Sequence, residues 1–441
     1  MLNEQDNELL VHVGPGTPMG NYFRRFWLPF IASPEIRERD GAPRRLRLLG
    51  EDLVAFRDSN GRVGVLEAYC THRRANLFFG RNEECGLRCA YHGWKFDVQG
   101  KCVDLPSEPA TSAFREKVSI KSYPTVERGG YVWIYMGPPE LRPEFPEYEW
   151  ISVGDEQRIT GTHLCECNWL QALEGDVDTA HVSFLHRWLD AENAPAPSQM
   201  VQGYRTYISR DTAPRLTVKE TDYGFLYGGR RTIGDGRYYW RVTHWMAPTS
   251  TLIPGSGSRA ARTLVPIDDS HALSATLLYN PDVPLPEAEK ASWFWGRLGR
   301  GDLDLHPFRL PDGYVIDTWR PERTVENDYL IDRNYQRTTK FSGIAGSPAD
   351  EDRAITETME RPGIDRTREH LGTTDVAIIA LRRRLLREVR QLQEDVEPPL
   401  ARNGKAFAVR GFDVVTNEAD FNELVKEFAG ELAVPAGGVG A

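Results

Sequence analysis

Two cysteines and two histidines stand in tight order early in the chain: Cys70-x-His72, then sixteen residues, then Cys89-x-x-His92. Each short segment offers one thiolate and one imidazole. A zinc cage could use all four, but zinc fingers usually pair their cysteines in one segment and their histidines in the other. The arrangement here suits a [2Fe–2S] cluster clamped from two sides, with both thiolates on one iron and both imidazoles on the other. Exchanging two anionic thiolates for neutral imidazoles raises the reduction potential well above that of an all-cysteine cluster. Gly93 after His92 permits a tight turn, and Trp94 and Phe96 can cover the sulfurs. Cys85 and Cys102 lie outside the spacing and are expected to be plain buried cysteines.

A second constellation occupies NWLQALEGDVDTAHVSFLH, residues 168–186. Asn168, Gln171, Glu174, Asp178 and His181 recur at steps of three and four, which is one face of a helix. Polar stripes usually face solvent, but this one ends in His181 and His186. Five residues turn by about 140° on an ideal helix, so both imidazoles meet one metal only if the helix breaks between them. Two histidines and a distant carboxylate form the facial triad of non-haem Fe(II) enzymes, which leaves positions open for O₂.

Together these segments resemble the Rieske non-haem iron oxygenases, whose motif is C-x-H, about sixteen residues, and C-x-x-H, strengthened here by the following HGW. Thr71 stands where that family often has proline, but the position is not a ligand. The chain resembles the oxygenase components of the phthalate dioxygenase and phenoxybenzoate dioxygenase group. The similarity runs from GPGTPMG near residue 14 to the helix ending near residue 396. It is carried by Asn168-x-x-Gln171-x-x-Glu174-Gly175-x-x-Asp178-x-x-His181-x-x-x-x-His186 and by GIAGSPADEDRAITETMERPGIDRTREHLGTTDVAIIALRR.

The resemblance implies an α+β fold: an N-terminal all-β Rieske domain, then a helix-grip catalytic domain in which an antiparallel sheet is backed by a long helix. It also implies a Rieske [2Fe–2S] cluster on Cys70, His72, Cys89 and His92, and a mononuclear Fe(II) on His181, His186 and a later carboxylate. Asp352 matches that carboxylate best, with Asp350, Glu351 and Asp365 as rivals; the group usually has Gln-Asp where this chain has Glu351-Asp352. By the same resemblance, Asp178 links His181 to His92 of a neighbouring subunit. Electrons from a separate NAD(P)H-dependent reductase, of flavin and ferredoxin type, would cross there. A trimer, or stacked trimers, is then expected.

The elements that must position these residues are legible in outline. Residues 1–40 read as a helical or extended segment, 41–140 as the Rieske domain and 141–441 as the catalytic domain. TPMGNYFRRFWLPF (17–30) reads as one short amphipathic helix ended by Pro29. Between Arg44 and Pro138, RLRLLG, DLVAFRD, RVGVLEAY, GLRCAYHGWKFD and GYVWIYMG read as strands divided by turn residues, with DSNGR a hairpin. Residues 204–280 are strand-rich, and 281–312 read as an excursion or lid. TDVAIIALRRRLLREVRQLQEDV (374–396) is a strong helix, with Val376, Ile379, Leu381, Leu385, Val389 and Leu392 as its apolar stripe and its arginines on a solvated or subunit-facing side.

Bulk properties exclude other classes. The 441-residue chain has 54 basic and 64 acidic residues, a net charge of −10 that disfavours nucleic acid. No apolar run suggests a membrane span, no export signal is visible, and the six cysteines point to a reducing cytoplasm. GSGSRA (255–260) reads as a hairpin turn rather than a nucleotide loop.

The expected reaction is insertion of O₂ into an aromatic carboxylate of phthalate, chlorobenzoate or phenoxybenzoate type, giving a cis-dihydrodiol or its breakdown product. Arginine suits a carboxylate because its planar fork binds both oxygens, and Arg210 and Arg241 are the candidates. His244 could touch substrate. Rival readings are a monooxygenase or O-demethylase acting on an aromatic ether, a pure Rieske electron carrier, and a zinc hydrolase.

Overall fold

The computed structural model describes residues 2–109, 111–195, 200–255, 257–290, 305–360 and 364–434. The segment expected as one helix over 17–30 divides. Pro18–Phe23 is helical, with the Thr17 hydroxyl accepting from Gly20 N–H, and the chain then enters strand β1 (Trp27–Ala32), buried along its whole length. WLPFIA has no polar face to give to solvent, so it pairs as a strand. Pro29, which lacks an N–H, sits where the pairing register slips.

Short apolar runs closed by turn residues build the first domain. β2 (Arg44–Leu48), β3 (Glu51–Arg57) and β4 (Val63–Glu67) form an antiparallel sheet. The β3–β4 hairpin is closed by Asp58, whose carboxylate accepts from the N–H groups of Asn60 and Arg62, with Gly61 left-handed at φ +84°. A second, smaller sheet holds β5 (Arg81–Glu83), β6 (Gly86–Arg88), β7 (Lys95–Phe96) and β8 (Cys102–Asp104). The run GLRCAYHGWKFD is therefore two strands interrupted by a loop. β9 (Ser122–Tyr123) joins β4, while β11 (Tyr131–Tyr135) pairs with β1 on one side and with β10 (Thr125–Arg128) on the other in a third sheet. The Tyr131 hydroxyl ties that sheet to the next domain by donating to Thr276 O at 2.6 Å.

The catalytic domain is built on one antiparallel sheet. Its strands are β12 (Arg158–Cys165), β13 (Arg215–Thr221), β14 (Gly224–Gly234), β15 (Arg237–Met246), β16 (Ser250–Ile253), β17 (Arg259–Pro266) and β18 (Ala272–Tyr279). They lie in the order β12-β18-β17-β16-β15-β14-β13. A small hairpin, β19 (His306–Arg309) with β20 (Val315–Thr318), precedes β21 (Phe412–Thr416), which pairs with β15. Gly255 and residues 257 and 258 link β16 to its antiparallel neighbour β17, a geometry without the helix N-terminus a nucleotide loop needs. Of the expected lid, residues 291–304 lie outside the described residues. Tyr204–Arg210, expected within strands, is a helix.

The long helix Val376–Gln393 buries Ala377, Leu381, Leu385, Leu386 and Val389, while Val376 is exposed. Arg382 also corrects the expectation: it is buried, and its Nε donates to Glu174 at 2.6 Å. Glu174 is itself buried, and a carboxylate there must be met by cations. Arg366 supplies a second one at 3.3 Å. Among the described residues, no helix is long and apolar enough to cross a membrane.

Candidate metal centres and cavity

The four residues of the first constellation sit on two loops facing each other. In the loop after β4, Cys70 N–H donates to Ala75 O at 2.8 Å and Arg74 N–H to Cys70 O at 2.9 Å. In the loop between β6 and β7, Cys89 N–H donates to Trp94 O at 2.8 Å and Gly93 N–H to Cys89 O at 2.9 Å. Gly93 is left-handed at φ +79°, and a Cβ there would lie 2.6 Å from Pro106. The imidazoles of His72 and His92 come within 4.5 Å, centroid to centroid, and His72 stacks on Trp94 at 4.3 Å. The two buried thiols share a hydrogen bond, which with burial raises Cys70 and which lowers Cys89 to about 6. His72 Nδ1 is buried without a partner. An orphaned imidazole nitrogen beside paired thiols fits an iron–sulfur group held by these residues.

The second constellation breaks as two-histidine ligation requires. The helix Trp169–Asp176 starts at Asn168, whose Oδ1 accepts from Leu170 N–H. Asn168 Nδ2 donates to Val11 O at 3.0 Å and Asp269 O at 2.7 Å, anchoring that end. The helix stops at Asp176, and His181–Ser183 forms a separate 3₁₀ turn. Gln171 Nε2 donates to Thr356 O at 2.9 Å, tying this helix to Pro348–Thr356, the helix that carries Asp352. Thus Asn168, Gln171 and Glu174 of the polar stripe are buried and structural, while Asp178 and His181 stay partly exposed.

One ligand atom from each of His181, His186 and Asp352 lies within 4.8 Å of the others. His186 Nε2 is 3.1 Å and His181 Nε2 3.6 Å from Asp352 Oδ1, and the two Nε2 atoms are 3.3 Å apart. Burial opposes charge on His186, but Asp352 and Glu351 beside it raise the imidazole to about 10. Burial likewise opposes charge on Asp352, and His186 and His181 hold it at about 2. A carboxylate with two convergent imidazoles suits a divalent cation, which would take the place of the imidazole proton. Of the rival carboxylates, Asp350 closes the capping box with Ser347, and Asp365 accepts from Thr367. Glu351 faces the rear of His186, with its Oε2 2.9 Å from Nδ1.

Residues 26–124 match the Rieske [2Fe–2S] domain family, and residues 134–425 match the family described as LigXa C-terminal domain like. The phthalate 4,5-dioxygenase oxygenase subunit of Pseudomonas putida is 41% identical over 393 residues, covering 88% of this chain and 86% of that one. The chain belongs to the Rieske non-haem iron oxygenases. The 3-chlorobenzoate-3,4-dioxygenase oxygenase subunit of Comamonas testosteroni is 38% identical, covering 88% of each chain. Among solved structures, dicamba monooxygenase bound to dicamba shares the fold, with a TM-score of 0.56 at 18% identity over 85% of this chain and 99% of that one. The family assigns this protein a Rieske [2Fe–2S] cluster, mononuclear iron and O₂ as co-substrate. It is the oxygenase component of a ring-hydroxylating or O-demethylating system.

The oxygenase has a cavity of about 190 Å³ reaching His181, His186 and Asp352. Its walls are mostly apolar, with Val182, Trp188, Met200, Tyr227, Ile253 and Trp319 among them. Arg241 reaches the cavity from β15, is 6% exposed, and has Nε and Nη1 buried without partners. Burial raises the neighbouring Tyr204 hydroxyl, but the charge of Arg241 overrides this and leaves it below its ordinary value. Arg210 lies outside the cavity: its side chain is 67% exposed and paired with Glu192 at 3.4 Å, because its helix ends at the surface. His244 is also outside the lining, its Nδ1 2.6 Å from the Tyr223 hydroxyl; His163 lines the cavity in its stead. Arg205, Tyr204, Lys340 and the Asp176–Arg262 pair at 2.9 Å also line it, and no spacing in the sequence marks them. Cys85 lies in the β5–β6 turn, Cys102 on β8, Cys165 at the end of β12, and Cys167 just beyond it, all free.

Proposed function

We propose that this oxygenase hydroxylates an aromatic carboxylate of phthalate, chlorobenzoate or phenoxybenzoate type. Ring C=C, O₂, two electrons and two protons give a cis-dihydrodiol or a product that collapses from it. Cys70, His72, Cys89 and His92 hold the cluster, and His181, His186 and Asp352 hold the iron. When bound, the cluster supplies single electrons and the iron supplies the activation of O₂.

The protein's own residues do the rest. The observation that carries the substrate class is Arg241: a buried guanidinium with two unpartnered nitrogens, in the same cavity as the three iron-site residues. Buried guanidinium donors left unpaired are costly, and a substrate carboxylate satisfies them with charge-assisted hydrogen bonds. The apolar walls exclude water around the ring and hold it beside the iron site. The Asp178 carboxylate faces His181 Nδ1 at 3.6 Å and turns Nε2 into the cavity. Asp178 is 21% exposed, and Phe184, later in the same segment, packs edge-on against Phe341 with both rings exposed, which suits docking by the cluster-bearing tip of a second copy, itself bearing the exposed Tyr91 and Phe79. This favours a ring of three, loaded by a flavin- and ferredoxin-type reductase using NAD(P)H, in the cytoplasm where six free cysteines persist.

The test is product analysis with ¹⁸O₂, iron-replete protein and a surrogate reductase, on phthalates, chlorobenzoates and phenoxybenzoates and their uncharged amides. Two labelled oxygens in products of the acids, and none from the amides, is the expected result. Single-label products or formaldehyde release would move the assignment to monooxygenation or O-demethylation. Equal turnover of the amides would remove the carboxylate anchor.

A further inference from the structure

The two imidazoles of the iron site are held from behind in different ways. His181 Nδ1 meets the half-buried Asp178 at 3.6 Å. His186 Nδ1 donates at 2.9 Å to Glu351, whose side chain is 0% exposed. The same Glu351 oxygen receives Lys340 Nζ at 2.7 Å, and the other accepts from the Ser342 hydroxyl. Lys340 is itself buried and sits over the Trp188 ring.

Burying an ion pair costs more than packing apolar groups of the same shape, so orientation of a ring alone would not require one. What a carboxylate adds is electronic. An anionic acceptor fixes His186 as the Nδ1–H tautomer, leaves its Nε2 lone pair toward Asp352 and His181, and strengthens that nitrogen as a donor. Lys340 and Ser342 occupy both Glu351 oxygens, which keeps this carboxylate off the metal although it adjoins Asp352. Successive residues on a helix point about 100° apart, so Asp352 faces the cavity while Glu351 faces the lysine.

We propose that Glu351, held by Lys340 and Ser342, is the positioning residue that sets the metal affinity of this site through His186. The iron site then has one imidazole locked by a buried charge and one held loosely by Asp178. The proposal rests on the reading that His181, His186 and Asp352 hold the iron.

The test uses the full-length protein with its cluster oxidised and EPR-silent and its mononuclear metal removed and replaced by Co(II). Metal content after equilibrium dialysis gives the dissociation constant, and high-spin Co(II) EPR reports the ligand field. Glu351→Gln keeps the shape and removes the charge. It should weaken Co(II) binding about 10- to 100-fold and shift the EPR signal, whereas Asp178→Asn stays nearer the wild type. Should Glu351→Gln fail to fold, the double variant Glu351→Met/Lys340→Met removes both charges without leaving one unpaired and should lose affinity alike. An affinity and spectrum matching the wild type in the folded variant, with only the melting temperature of the metal-free protein lowered, would overturn the proposal. A wild-type protein that binds no Co(II), or an Asp352→Ala variant that binds it as tightly, would instead overturn the iron-site reading beneath it.

Discussion

The loops proposed to hold the cluster and the residues proposed to hold the iron gather their donors over very different lengths of chain. The first draws on residues 70–92, on two turns whose shape is set by hydrogen bonds inside the same small domain. The second brings His186 to Glu351 on a helix 165 residues further on, while Glu174, on the helix ahead of His181, is met by Arg366 and Arg382. A site closed by local turns is lost only with its own domain. A site assembled from distant elements depends on every contact that aligns them, so strain anywhere in the catalytic domain should release the mononuclear iron before it disturbs the cluster.

The sharpest separation of the two is Asp352→Ala. It should lower iron from three to two atoms per chain, leave the cluster spectrum intact, and reduce turnover by about a thousandfold, a barrier rise of roughly 4 kcal/mol. Iron analysis with EPR of the reduced cluster checks it, and a retained third iron would remove Asp352 from the site.

Glu174→Gln attacks the same site from its scaffold. One carboxylate meets two buried arginines, so weakening it should cost about 3–5 kcal/mol of catalytic-domain stability. Burial raises the Glu174 carboxyl, but Arg366 and Arg382 outweigh it and hold it below its ordinary value. The unfolded chain therefore takes up that proton more readily. The contribution is full above the ordinary glutamate range and lost as pH falls through the depressed value. Thermal melts across acidic pH should show a steeper loss in the wild type than in the variant, with mononuclear iron released ahead of the cluster. Parallel loss of both metals would break the contrast drawn above.

Asp178→Asn tests how the two sites communicate. It should retain both metals yet lose coupled turnover by about tenfold to a hundredfold. Single-turnover electron transfer from a pre-reduced cluster is the measurement, and full activity would remove this bridge. Arg241→Met should lower kcat/KM for an acid substrate about tenfold to a hundredfold, through loss of charged hydrogen bonds worth about 1.5–3 kcal/mol, with little change for an uncharged amide. An equal loss on both substrates would make Arg241 structural.

The same division explains what could be read from the chain. The spacing of Cys70, His72, Cys89 and His92 pointed to a cluster because those residues are close in sequence, and the five-residue step from His181 to His186 demanded a break between them, which falls where the 3₁₀ turn His181–Ser183 ends. Glu351 and Lys340 had no such signal: a buried glutamate eleven residues from a buried lysine looks like any pair of surface charges. Arg382 was misread for the same reason, since its counter-ion Glu174 is 208 residues away. The segment 17–30 misled because helical spacing in TPMGNYFRRF runs straight into an apolar strand, and only pairing with β11 decides where one ends.

Arg210 and Arg241 looked alike in sequence, and the smallest predicted effect separates them. Arg210 ends its helix at the surface, exposed and paired with the equally exposed Glu192, where an ion pair contributes about 0–1 kcal/mol. Arg241 stands buried in the cavity wall with nitrogens unmet. Arg210→Ala should therefore leave kcat/KM for aromatic acids unchanged within about twofold and alter stability by no more than about 0.5 kcal/mol. Steady-state kinetics on the same acid and amide pair, run beside Arg241→Met, make the comparison. A selective loss on the acid in Arg210→Ala would mean that the anionic group is held at the surface helix, and the buried guanidinium would then need a partner other than substrate.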